Sequence, residues 1–476
     1  MKTLSISRVP SLLMLSALAS LSSCYRGELH RPVNNSAPLK QTEKNYAIES
    51  GVINPLGIPK YDYTVSYVEF GETGKYLDPR QAKFTMELLN RRASAARARG
   101  NRLLVVSYTH GWRHGSTTEN VLQFRKLVKH AARSLGSKKL EVAGVYLAWP
   151  GAPFGDLPSI SNSEQLALPG SLLSCAELPS YMDRKDIAGK LSAGGNDYTI
   201  FLDELSMSFA HHRDPNSFHI AIGHSLGAFI LENSLIAPYV TKPDDRDRAT
   251  PDLVFTMNSA APASLSQRIV KDYKPAGSVG RHKVRFVSIT SNGDRVTKVW
   301  ANIGNAASDI FWNHKRHHVW KTNQTPGHDD SLLTTELMPV EVDGKHLGGS
   351  DDADSEFLIH MNLYPKPEPD VTRRPLRGEI AAFDKKILPG TGRDYHLWKV
   401  VNQREPWLDG RYVVLRTSEA FITGHGDIWS GQPVSLFCYY ARLALSKEKD
   451  LPERIPSSAP MTQPSSDINL SKRGGV

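Results

Sequence analysis

Cysteine is scarce in this chain, 3 among 476 residues, and no two are spaced as CxxC. That excludes the common thiolate zinc sites and dithiol redox chemistry. No apolar run beyond residue 21 is long enough to cross a bilayer. No Lys/Arg run with interleaved aromatics occurs, so the formal charge of +9 is diffuse and gives nucleic-acid binding no support. No internal repeat is present. What remains is an ordinary globular composition, 40% hydrophobic and 22% charged, with length enough for one large domain or two ordinary ones.

The apolar run from Val9 to Leu21 follows Lys2 and Arg8 and falls short of the ~20 residues a membrane span needs. Residues 1–23 therefore read as a cleaved signal peptide. Leu21-Ser22-Ser23-Cys24 resembles the lipobox of bacterial lipoproteins. The resemblance implies that Cys24 becomes the acylated first residue of the mature chain, its acyl chains anchoring a soluble domain to a membrane. An ordinary secretory signal with an incidental cysteine is the alternative. Tyr25 rather than Asp follows Cys24. By resemblance to Gram-negative sorting rules, that implies the outer membrane, facing the periplasm, before the inner one. Cys175 and Cys438 then remain, as one disulfide in an oxidising envelope or as two buried thiols. Residues 24–60, with Pro, Asn, Ser and Lys and little periodicity, read as a flexible tether.

From residue 61 apolar strands alternate with helical segments. Tyr63–Phe70, Arg102–Thr109, Glu141–Trp149, Phe218–Ile222, Asp252–Met257, Val284–Thr290 and Arg411–Arg416 read as strands. Pro79–Arg99, Glu119–Leu135, Asp197–Ala210 and Gln432–Lys447 read as helices, with Asp78 and Pro79 opening the first. Such alternation means an α/β domain, 61–447, with a mostly parallel sheet flanked by helices. Residues 151–185, rich in Pro, Gly and Ser, read as an irregular functional loop. Residues 297–400 read as an insertion or cap, and 448–476 as a disordered tail.

The chemistry concentrates at Gly223-His224-Ser225-Leu226-Gly227, between a strand and a helical segment. A strand–turn–helix with glycines around a serine makes a nucleophile elbow, which exposes the hydroxyl above a sheet edge. A serine hydroxyl needs a base to take its proton and an acid to hold that base's tautomer. Here the chain resembles the α/β-hydrolase superfamily, whose order is nucleophile, acid, histidine. The resemblance covers about residues 60–447. It implies Asp294, which follows the strand ending at Thr290, as the acid, and His425 in Gly424-His425-Gly426 as the base. His328 in Pro326-Gly327-His328 is the rival base. Thr109-His110-Gly111-Trp112 resembles the oxyanion motif of esterases and lipases, which implies the amides of Trp112 and Leu226 as donors to the oxyanion. His110 and His114 have metal-like spacing, but Gly111 and Gly115 argue against the helix such a pair needs. His211-His212 makes an equally poor metal pair, and the cluster with His314, His317 and His318 reads as a solvated face.

The function so implied is a membrane-anchored serine hydrolase. It cleaves small or lipid-like carboxylic esters through Ser225, His425 and Asp294, by an acyl-enzyme and without a cofactor. The same three residues suit an acyltransferase, amidase or thioesterase. A catalytically silent scaffold or binding lipoprotein is the alternative from another class.

Overall fold

A computed structural model describes residues 29–31, 33, 48–53, 61–116, 119–136, 139–152, 172–211, 213–241, 250–272, 285–294, 296–301, 324–339, 341–342, 345–346, 398–403, 412–419, 421–422, 424–426, 428–429 and 431–445. The signal segment, Cys24 and the tail lie outside these, and so do most of residues 302–397.

The strands are β1 (Ile48–Ile53), β2 (Tyr61–Glu69), β3 (Arg102–Thr109), β4 (Leu140–Ala148), β5 (Ser217–His224), β6 (Leu253–Met257) and β7 (Arg285–Ser291). They continue as β8 (Thr335–Pro339), β9 (Glu341–Val342), β10 (Lys345–His346), β11 (Trp398–Gln403) and β12 (Tyr412–Thr417). One sheet has the order β1-β2-β4-β3-β5-β6-β7-β12-β8-β11. From β2 to β8 every neighbouring pair in that order is parallel, while β1 and β11 close the two edges antiparallel. β9 and β10 form a separate ribbon.

The helices are α1 (Pro79–Ala98), α2 (Glu119–Gly136), α3 (Leu172–Leu191), α4 (Asp197–Phe209), α5 (Leu226–Thr241), α6 (Ala263–Asp272) and α7 (Gly431–Leu445). They cover both faces of the sheet, which is why β5 is buried along its whole length. Alternate residues of β3 serve the two faces. Leu104, Val106 and Tyr108 pack with Phe124 and Val128 of α2 and Phe437 of α7. Leu103 and Val105 pack with Leu89 of α1, Phe201 of α4 and Ile230 of α5. Each such side chain removed from water contributes roughly 1.5–3 kcal/mol. Gly144 of β4 lets α2 come close, because a Cβ there would stand 2.5 Å from a Val128 methyl.

Three stretches depart from the sequence reading. Within 151–185, read as an irregular loop, residues from Leu172 onward belong to helix α3. Its buried side, Tyr181, Arg184, Ile187, Ala188 and Leu191, has helical spacing, but a charged residue sits inside the stripe. Arg184 is fully buried because Glu72, Asp183 and the Pro150 carbonyl take its guanidinium hydrogens. Within the expected tether, β1 pairs along β2. Within or at the end of the expected insertion, β8 and β11 extend the central sheet.

Candidate active site

The C-terminal ends of β3, β5, β7 and β12 converge, the position where open α/β sheets place their ligands. β5 runs into Ser225, whose φ of 56° is left-handed. That conformation costs a non-glycine residue about 1–2 kcal/mol, so the surroundings must impose it. They do: the Ser225 amide donates to the Met257 carbonyl at 3.1 Å, and its carbonyl accepts from Phe229 and Ala260, each at 3.1 Å. A Cβ on Gly227 would meet the backbone oxygens of Thr109 and His110 at 2.2 and 2.3 Å. One on Gly223 would meet the Ala228 Cα at 2.6 Å. Both glycines are therefore required by the close approach of α5 to the strands.

Asp294 follows β7 and His425 lies beyond β12; His425 reaches Ser225 and Asp294 reaches His425. The Ser225 hydroxyl lies 2.7 Å from His425 Nε2. His425 Nδ1 lies 3.0 Å from each carboxylate oxygen of Asp294. With the Nδ1 proton facing the carboxylate, Nε2 is left with a lone pair for the serine proton. Asp294 is fully buried. Burial pushes its carboxyl up, but the His425 ring and the amide and hydroxyl of Thr297 outweigh that and hold it below the usual carboxylate range.

The loop carrying His425 is held by its own carbonyl. His224 Nε2–H donates to that oxygen at 2.8 Å and Asn258 Nδ2 at 3.1 Å. Asn258 has a left-handed φ of 46°. Its amide donates to Ile289, and its side-chain oxygen accepts the Ser291 amide at 3.1 Å. One residue thus joins the ends of β6 and β7 to the histidine loop. Burial, then the neighbouring rings of His425 and His114, push the His224 imidazole well below its ordinary value, so it stays neutral. The sequence reading used His224 only as part of the elbow and passed over Asn258 and Thr297. The signal for Asn258 was present as a polar residue at the end of a short, largely apolar strand.

His110 is buried between the loop and Trp149, their rings nearly parallel with centroids 5.6 Å apart. The Trp149 amide donates to His110 Nε2 at 3.1 Å, so Nδ1 keeps its proton and donates to the Gly111 carbonyl at 2.9 Å. Burial lowers its pKa to about 3. With both nitrogens engaged by backbone, His110 shapes the turn and has none left for a metal. Gly111 lies directly over the elbow, since a Cβ there would stand 2.8 Å from Ser225 Cβ. Trp112 is fixed by its indole N–H on Ser180 at 3.2 Å and by the Tyr181 ring edge-on. Among the described residues neither the Trp112 nor the Leu226 amide donates to a backbone carbonyl. Leu226 is the first residue of α5, where the helix leaves amides unpaired and carries partial positive charge.

His328 sits on the short turn Pro326–His328 and hydrogen-bonds Thr325 at 2.8 Å. Gly327 lies against Thr290. The Asp294 charge acts on this ring only from a distance, while the contact with Ser225 belongs to His425.

No family model matches the chain, and no curated protein does. Similar solved structures include a lid-less α/β serine hydrolase from Xanthomonas campestris, 14% identical, covering 42% of this chain and 64% of that one, TM-score 0.17. Another is esterase B from Lactobacillus rhamnosis with a tributyrin phosphonate inhibitor, 12% identical, covering 64% of this chain and 82% of that one, TM-score 0.20. A third is an uncharacterized protein from Pseudomonas aeruginosa, 13% identical, covering 48% and 41%, TM-score 0.18.

Proposed function

We propose that this chain is a serine hydrolase of carboxylic esters, held at the bacterial envelope by lipid on Cys24. The single observation that carries the catalytic reading is the continuous hydrogen-bonded path from the Ser225 hydroxyl through His425 to buried Asp294. Ser225 Oγ attacks the ester carbonyl while its proton passes to His425 Nε2. The new oxyanion takes hydrogen bonds from the Trp112 and Leu226 amides, each worth on the order of a hundredfold or more in rate. As the tetrahedral intermediate collapses, His425 returns the proton to the departing alcohol and Ser225 is left acylated. Water then gives a proton to His425 and attacks the acyl carbonyl; as the second tetrahedral intermediate collapses, His425 returns that proton to Ser225 Oγ and the acid is released. Asp294 holds the imidazole tautomer throughout and stabilises the imidazolium.

The test is turnover of a chromogenic short-chain ester by the wild type and by Ser225→Ala. Loss of turnover with an unchanged circular dichroism spectrum is expected, and full activity in the variant rejects the assignment. Amide, thioester and acyl-acceptor substrates in the same panel decide among the chemistries that one triad supports.

The anchor follows from the sequence alone. His30 is bound to the domain through its amide, and only six peptide units separate it from Cys24, a reach of at most about 22 Å. A lipid on Cys24 would hold the domain close to the bilayer instead of at the end of a long tether. Radiolabelled palmitate incorporated by the wild type but not by Cys24→Ser supports the anchor. Equal labelling of both, or none of either, rejects it.

A further inference from the structure

Glu69, at the end of β2, is buried, and its carboxylate gathers four donors. Oε1 accepts the His30 amide at 3.1 Å and the Ser116 hydroxyl at 2.6 Å. Oε2 accepts the Arg31 amide at 2.9 Å and Gln81 Nε2 at 2.8 Å. Two of the four are therefore backbone amides of an N-terminal segment distant in sequence. The same segment is held again from the other side, because Gln81 Nε2 also donates to the Arg31 carbonyl at 2.8 Å.

Arg31 carries the contact onward. Its guanidinium lies 3.7 Å from the centre of the Tyr67 ring, and its Nε donates to the Ser116 carbonyl at 2.8 Å. Ser116 is the last described residue of the stretch 111–116 between β3 and α2, whose start supplies the Trp112 amide. The preceding residue is tied as well, since the Tyr146 hydroxyl donates to the Gly115 carbonyl at 3.0 Å. The loop is thus clamped at its start by His110, Trp149 and Gly151, and at its end by Glu69 and Arg31.

We infer that residues 29–31 are a positioning segment of the catalytic site: seated on Glu69, they hold loop 111–116 by its Ser116 end and so set the aim of the Trp112 amide at the oxyanion. The inference rests on the hydrolase reading. An oxyanion donor acts on the transition state and hardly on the bound ester, so misaiming it lowers kcat and leaves KM nearly unchanged.

The experiment compares full-length wild type, Arg31→Ala and Arg31→Lys on one soluble short-chain ester, with Tm measured alongside. Arg31→Ala is expected to lower kcat about tenfold with KM within about twofold, part of the loss a missing oxyanion donor would cause. Arg31→Lys, which keeps a donor able to reach the Ser116 carbonyl, is expected to recover most of that loss. An unchanged kcat in Arg31→Ala overturns the inference, and so does a loss that lysine does not recover. If Arg31→Ala does not fold, Arg31→Met keeps the bulk over Tyr67 but removes the donor to the Ser116 carbonyl and gives the same reading, with unchanged kcat again refuting. Failure of the hydrolase reading itself is separate: it appears as turnover that survives Ser225→Ala.

Discussion

Asp294→Asn keeps the shape of the side chain and removes its charge, and the structure sets the size of the consequence. Both carboxylate oxygens stand 3.0 Å from His425 Nδ1, which places the charges of carboxylate and imidazolium about 4 Å apart once the serine proton has moved. At an effective dielectric near 20 that attraction is ~4 kcal/mol, equivalent to ~10³ in rate. The amide also turns an N–H toward Nδ1, which favours the tautomer with its proton on Nε2 and removes the acceptor for Ser225. The assay is kcat/KM on a chromogenic ester, corrected for folded protein by circular dichroism. We expect a fall of about a thousandfold with the fold retained. The same substitution alters acid stability. Because the folded carboxyl titrates below its ordinary value, its contribution is present above the unfolded pKa and is lost as pH falls through the folded one. Asp294→Asn should therefore show a smaller drop in Tm between pH 5 and pH 3. Activity within about tenfold of wild type would refute the orienting role and the electrostatic argument together.

Glu232 is buried on α5, and burial raises its pKa to about 7 against the pull of the nearby Thr256 and Ser259 hydroxyls. A raised folded pKa gives stability that is full below the unfolded value and lost as pH rises through the folded one. Urea unfolding at pH 5 and pH 8 should find wild type losing on the order of 3 kcal/mol and Glu232→Gln much less, whereas identical losses would contradict the shift. His224→Phe removes one of two donors from the His425 carbonyl, about 1 kcal/mol, and should lower kcat several-fold. His224→Gln, with an amide nitrogen near the place of Nε2, should recover it, and equal activity in the two variants would dismiss the contact. Gly227→Ala drives a Cβ into backbone oxygens at 2.2 and 2.3 Å. It should lower stability by at least ~2 kcal/mol, and an unchanged Tm would mean that α5 can shift freely.

The parts of this site legible in the sequence were those fixed by local geometry. Gly223 and Gly227 announce a turn packed tightly against its neighbours, and the structure identifies the atoms they make room for. Asp294 and His425 could be placed through the α/β-hydrolase resemblance, which puts the acid just after a strand and the base in the loop between the last strand and the last helix. Asn258, Thr297 and the second role of His224 could not, since each acts through space on a group from another strand. Helix α3 was hidden because its buried stripe contains Arg184, and a charge in a stripe reads as surface until its partners Glu72 and Asp183 are known. β1 and β11 were hidden because each pairs with the sheet along one edge only and carries no long apolar run. The docking of His30 and Arg31 on Glu69 lay beyond pattern reading, because it is made largely through backbone amides.

The most direct test of the account is a fluorophosphonate reaction read by intact mass and peptide mapping. The account predicts one adduct per chain, on the peptide that contains Ser225, and no adduct in His425→Ala within the same time. An unlabelled wild-type protein, or an adduct on any other serine, would contradict it.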